Sequence, residues 1–265
     1  MLSNLLNKFE DRNYPLLGPN IKFLKFWGLI LPDDRYKKYF YLFMHISVIV
    51  FTATEYIEIW FLKNDMNMVL TNLKITLLAT VSVSKITSFL IRQKDWKGIL
   101  NYVNDTDRAR RSEEESGKKE IITKYTRYSR MITFYYLLLM YITVIIVICQ
   151  PIYKYYTSEE YRHNVRNGTE KYDQVVSSWV PFDKNTVLGY IFACLIQSYA
   201  AIYGGGWITS FDTNAIVTMV FVKSEIEMQI IDGRLIFGTE KEPASVKEAK
   251  RRLMRCYDRY SKLIR

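Results

Sequence analysis

The residues with the most chemical potential are the charges that interrupt apolar stretches: Glu55, Glu58, Lys74, Lys85 and Asp212. An ionisable group in such a place marks function or a fixed pair, because one charge alone at the bilayer centre costs about 2.5–3.5 kcal/mol on insertion scales. Folding residues 39–91 as a hairpin about Asn64 sets Glu55 opposite position 73, so an intramembrane Glu55–Lys74 ion pair is expected, chiefly to fix the hairpin. Lys85 lies nearer the other end, where it can snorkel to water. Asp212 falls near the inner end of the last apolar stretch and reads as solvated, with an ion-path role as the other reading. Enzyme chemistry has no foothold. The sequence holds no G-x-S-x-G, H-E-x-x-H, Walker loop or G-x-G-x-x-G. Its two histidines, His45 and His163, offer little general-base capacity and almost no metal ligation. No metal or cofactor is expected.

Aromatic residues form a second set: 21 Tyr, 14 Phe and 5 Trp, enough to line more than the membrane interfaces. Tyr135, Tyr136, Tyr141 and Tyr153, with Tyr190, Phe192, Tyr199 and Tyr203, sit in two apolar stretches. They either pack helices together or line a cavity suited to small volatile organics. Gly204-Gly205-Gly206 interrupts the second of these stretches and reads as a local weakening or a close helix approach.

The elements that position these residues are apolar blocks separated by charge. Span one is expected over 39–62 and span two over 66–91, joined by three residues. Span three covers 131–153, which is 23 residues without a charge. At 1.5 Å per residue that is about 35 Å, enough to cross the hydrocarbon. Span four runs over 185–222, longer than a bilayer requires, so it tilts, kinks or projects beyond it. The fold class is therefore all-α: a polytopic membrane helical bundle with about four spans and long helices extending into the cytoplasm. Residues 1–38 form an N-terminal segment with no cleavable signal peptide. Within it, Ile21 to Leu31 reads either as an interfacial or re-entrant segment or as a helix packed on the protein's own cytoplasmic face. The loop 92–130 carries an amphipathic helix with Trp96, Ile99, Leu100 and Val103 at helical spacing, and Ser112 with Glu115 fits a capping box. The tail 223–265 has a second such box at Ser245 and Glu248, opening another amphipathic helix. Asp258-Arg259-Tyr260 matches the three-letter signature of rhodopsin-like receptors, but lies far from any span and reads as coincidence.

Charge sets the orientation. Of 37 Lys and Arg, 29 fall in 1–38, 92–130 and 223–265, and only six in 63–65 and the extracellular loop 154–184. Positive residues stay inside, so the N-terminus and tail are cytoplasmic. The net charge of +10 is thus accounted for by an anionic membrane face, without nucleic acid. Three scattered cysteines, Cys149, Cys194 and Cys256, make no disulfide framework.

A family resemblance follows. Phe23-Leu24-Lys25-Phe26-Trp27-Gly28-Leu29 before Pro32, Trp179-Val180-Pro181-Phe182-Asp183 before span four, and the amphipathic run from Asp212 to Glu227 resemble segments of insect odorant receptors. The resemblance implies a seven-helix, odorant-gated, non-selective cation channel subunit. It also implies a heterotetramer with a shared co-receptor in the plasma membrane, and an odorant pocket in the outer half of the bundle. Loosely carried over, pocket candidates are Val69, Leu73, Val144, Ile148, Leu188, Phe192, Leu195 and Tyr199. The family's spans five to seven have no counterpart here, so Arg265 is expected not to be the natural end. A gustatory-type receptor of the same superfamily, and a membrane adaptor or transporter subunit without a ligand, are the alternatives.

Two sequons separate the possible orientations. Asn167-Gly168-Thr169 falls outside and Asn104-Asp105-Thr106 inside. Expression in microsomes should give a single glycan, removed by Asn167→Gln and untouched by Asn104→Gln. A glycan at Asn104 would reverse the orientation.

Overall fold

The computed structural model describes residue 11 and residues 13–112, 116–238 and 243–264. Glu115, the distal half of the first proposed capping box, lies outside the described residues. Among the described residues the chain is all-helical, with eight α-helices: α1 Gly18–Phe26, α2 Arg35–Phe61, α3 Met66–Ile91, α4 Gln93–Arg111, α5 Ser116–Thr157, α6 Glu159–Arg166, α7 Val187–Arg234 and α8 Val246–Ile264.

The helices begin where short polar side chains can take their unpaired N–H groups. Asp34 accepts from Lys37 N at 3.0 Å, and Asp65 accepts from both Asn67 N and Met68 N at 3.1 Å. Asp65 therefore starts α3 directly after the turn that ends α2. Ser158 caps α6 through Tyr161 N, and Ser245 caps α8 through Glu248 N at 3.3 Å. The second capping box is only half formed, because the Glu248 carboxylate turns to Arg251 and Arg252 instead. Two helices outrun the apolar stretches that predict them: α5 continues through Pro151 to Thr157, and α7 extends to Arg234.

The chain divides into two compact units. One comprises residues 20–96 and 134–212. In it, α2 buries His45, Val48, Thr52 and Glu55, a stripe at three- to four-residue spacing. The facing α3 buries Thr76, Ser82, Ile86 and Phe89. Tyr56 Oη and Thr80 Oγ1 meet at 2.8 Å across the hairpin. Ile21, Leu24, Trp27 and Leu29 are buried, while Lys22, Lys25 and Phe26 are exposed. One face of that segment is therefore packed on the protein itself. Gly28 adopts φ +70°, a left-handed turn that ends the segment, and its carbonyl accepts from His45 Nε2 at 3.0 Å. The Trp27 ring then lies where a β-carbon on Gly206 would be, and Tyr203 Oη donates to Trp27 O at 3.3 Å. A β-carbon on Gly205 would stand 3.2 Å from Val144. The glycine run therefore serves close approach, and α7 passes through it unbroken.

The other unit comprises residues 1–19, 97–133 and 213–265. Its centre is ionic. Arg110, 2% exposed, donates to Glu225 Oε2 at 3.0 Å and to Asp232 Oδ2 at 3.2 Å. Lys118 and Arg259 also reach Asp232, the latter at 2.9 Å. Arg259, the middle residue of the receptor-like triplet, thus ties α8 to α7. Burial alone would raise the Asp232 carboxyl, but Lys118 and Arg110 hold it below the usual carboxylate range. Its ion pairs are intact above that range, and their contribution is lost as pH falls through it. Burial pushes the Asp107 carboxyl up against the opposing pull of Arg111, 3.0 Å away. Arg130 closes on the carbonyls of Pro15 and Leu16.

Arg110→Met should leave Glu225 buried without its cation and lower stability by about 3–5 kcal/mol. The pairing of Arg110→Met with Glu225→Met should recover much of that. Thermal unfolding of detergent-solubilised protein measures both, and equal losses in the single and double variants would refute the dependence.

Candidate ligand-binding bundle

Among the charges that interrupt the spans, Glu58, Lys85 and Asp212 find partners that sequence spacing does not show. Glu55 is 2% exposed, and its Oε2 is buried without a hydrogen-bond partner among the described residues. Lys74 is exposed, and no ion pair joins it to Glu55 among the described residues. The structure does not bring the proposed pair together: Glu55 belongs to the α2 stripe facing Thr76, two residues beyond Lys74, and Lys74 points off that interface. Glu58 pairs instead with Lys184 at 2.9 Å, linking α2 to the segment before α7.

Lys85 and Asp212 also differ from their expected states. Lys85 Nζ lies 2.9 Å from Asp212 Oδ1, and Tyr136 Oη donates to Asp212 Oδ2 at 2.9 Å. Asp212 is thus paired, with its side chain 21% exposed. It is held by residues of α3 and α5, so one carboxylate joins three of the long helices. The signal available in the sequence was depth: both charges fall near the inner ends of their apolar stretches, and hydropathy carries no information on which spans are neighbours.

At the other end, the segment before α7 is bound into the bundle. Gln197, fully buried, accepts from Val175 N at 3.1 Å and Val176 N at 3.3 Å. Its amide nitrogen donates to Gln174 Oε1 at 3.0 Å and Ser178 Oγ at 3.2 Å. Trp179 N donates to Thr54 O at 3.2 Å, and Lys184 Nζ to Ser178 O at 2.8 Å. Val175, Val176 and Ser178 are buried as a result. Gln197 escaped sequence reasoning because a lone glutamine in an apolar helix gives no periodic signal.

The eight pocket candidates divide. Tyr199 is half-buried and its hydroxyl meets Ser47 Oγ at 2.8 Å. Val144 faces Gly205 of α7, and Ile148, Val69 and Leu73 are half-buried. Leu188, Phe192 and Leu195 are exposed, on a stripe of α7 opposite the buried Ala193, Gln197 and Ala200. The aromatic set divides likewise. Tyr203 packs edge-on to Trp207 at 5.0 Å and to Trp27 at 5.5 Å, and Tyr190 stacks on Tyr172 at 4.6 Å. Tyr135, Tyr141 and Tyr153 are exposed. Asn167 lies exposed at the C-terminal cap of α6, whereas Asn104 is buried in α4, 8% exposed.

Four helices are long and apolar enough to cross a membrane: Arg35–Phe61, Met66–Ile91, Gly117–Thr157 and Val187–Arg234. With polar contacts tucked between them and apolar side chains outward, they define a multi-pass helical membrane protein. The family model described as 7tm odorant receptor matches residues 65–265, and the chain belongs to that family. Its members are receptors and not enzymes. The fold is similar to that of the insect olfactory receptor OR5 from Machilis hrabei, solved in complex with eugenol, with a TM-score of 0.67 at 16% identity. The likeness covers 99% of this chain and 64% of that receptor. No curated protein sequence matches the chain.

Lys85→Met should strand Asp212 with only a tyrosine and reduce delivery to the cell surface. Lys85→Met combined with Asp212→Leu should restore it, since the desolvated charge is then gone. Surface biotinylation reads both, and a double variant no better than the single one would show that the pair is unimportant.

Proposed function

We propose that the chain is an odorant receptor subunit of the plasma membrane, with a cytoplasmic N-terminus. It binds small volatile organic ligands in the outer half of its helix bundle and contributes to a cation channel opened by the odorant, assembled with a co-receptor subunit. The observation that carries this is the match to the odorant-receptor family across residues 65–265, a range that includes α3, α5 and α7. Its fold likeness to a receptor solved with eugenol supports an aromatic, phenol-sized volatile as the first ligand class to try. The ligand-lining residues in this reading are Val69, Leu73, Val144, Ile148 and Tyr199, with Leu188, Phe192 and Leu195 on the outer stripe of α7. The Tyr199 hydroxyl, already paired with Ser47, offers a hydrogen bond that discriminates oxygenated odorants from hydrocarbons. Lys and Arg gathered in 1–38, 92–130 and 223–265 support the orientation.

Co-expression of the receptor with a co-receptor subunit, challenged with a panel that includes eugenol, should give an odorant-evoked cation current. Val144→Trp should raise the half-maximal concentration about tenfold or more, the equivalent of about 1.4 kcal/mol. Silence across the panel, with receptor and co-receptor both at the surface, would remove the ligand-gated reading and favour an adaptor. An epitope on Met1 should be reached only after permeabilisation.

A further inference from the structure

The helix α5 carries two different faces where it enters the uncharged stretch at Met131. Lys118, Ile122, Tyr125, Ser129, Arg130 and Thr133 are buried at helical spacing. The other face presents Lys119, Thr123, Lys124, Arg127 and Tyr128 as exposed side chains, with Met131 half-buried and Glu120 at its edge. Lys119 and Arg127 are exposed and form no ion pair among the described residues. Lys124 is 65% exposed, and its contact with Glu227 is a long one of 3.9 Å. The buried face spends its cations on carboxylates and carbonyls, whereas this face holds three cations largely unspent beside a hydroxyl, a phenol and a thioether.

We infer that this face of α5 is a binding site for the headgroup of a polyphosphorylated phosphoinositide of the inner leaflet. The placement rests on the cytoplasmic assignment of residues 92–130 made above. Cations directly beyond the inner end of a span recruit anionic lipid, each contributing about 1 kcal/mol near the surface. The axial order suits one lipid class. Met131 and Tyr128 stand at the boundary, where an apolar stem and an aromatic ring meet the acyl and glycerol region. Arg127 offers a planar fork to the phosphodiester. Lys124, Thr123 and then Lys119 continue away from the bilayer, and Lys119 lies about 18 Å along the helix from Met131. A serine headgroup, with one phosphate beside its glycerol, reaches only the Tyr128 end. An inositol ring bearing further phosphates extends along the remaining cations. Glu120 opposes the anion and sets the edge of the site.

The test is binding of soluble dioctanoyl phosphoinositide bisphosphate to the full chain in neutral detergent, followed by fluorescence polarisation. Dioctanoyl phosphatidylserine and inorganic phosphate serve as the comparison arms. Lys119→Gln/Lys124→Gln/Arg127→Gln should weaken phosphoinositide binding at least tenfold. Glu120→Gln should tighten it. Lys247→Gln/Lys250→Gln/Arg255→Gln, which removes as much charge from the exposed face of α8, should leave it unchanged. Equal loss in the α8 variant, equal binding of phosphatidylserine or of phosphate alone, or absence of binding to wild-type protein that elutes as a single species would each overturn the site. Micelles have no sides, so this result is independent of the Met1 epitope experiment. Binding together with an exterior epitope would fault the orientation and leave the headgroup chemistry standing.

Discussion

A charge withdrawn from water must be matched, and the matched charges of this chain decide how its long helices are held. In hydrocarbon the hydrophobic effect gives helices little reason to choose one neighbour over another, so specific polar contacts and close packing do the choosing. Asp212 shows the principle within the membrane-spanning part. A carboxylate in an otherwise apolar helix is tolerable because Lys85 from α3 and Tyr136 from α5 converge on it. Arg110 shows it again outside the spans, where Arg110 on α4, Lys118 on α5, Glu225 and Asp232 on α7 and Arg259 on α8 join five charges in one network. Such networks stabilise weakly compared with an apolar core of equal volume, and their use is specificity: few other arrangements of these helices satisfy every member.

Packing supplies the complement. Gly205 and Gly206 have no side chain to hold neighbours away, so Val144 and the Trp27 ring come up to the α7 backbone. Trp27 is delivered by the left-handed turn at Gly28, whose carbonyl is bound by His45. Trp27 and Gly28 are thus integral to the packing of α2 and α7. Gln197 does a similar service for Val175 and Val176, satisfying their N–H groups inside an apolar setting where unpaired amides are costly. In the same bundle the Tyr199 hydroxyl is held by Ser47 of α2 at 2.8 Å.

Helix existence was legible residue by residue. Met66–Ile91 and the uncharged 131–153 announce themselves through length and apolarity alone, because a bilayer enforces both. The caps were legible in part: Ser245 marked the start of α8, but its Glu248 partner is taken by two arginines whose proximity no three-residue pattern encodes. Pairing was the weak point. The register that set Glu55 beside Lys74 treated the hairpin as a flat ladder. Real helices rotate about 100° per residue, and that rotation turns Lys74 off the face that Glu55 and Thr76 share. Leu188, Phe192 and Leu195 were selected by depth, and depth says nothing about azimuth.

Composition and block length by themselves determined an all-helical chain with about four helices long and apolar enough to cross a membrane. They did so because lipid imposes its demands locally, one span at a time. Only the tertiary structure decided that Lys85 answers Asp212, that Lys184 answers Glu58, and that Arg259 closes a network begun by Arg110. Those choices depend on which helix faces which, a relation between residues 27 to 127 positions apart, and the linear order of amino acids does not carry it.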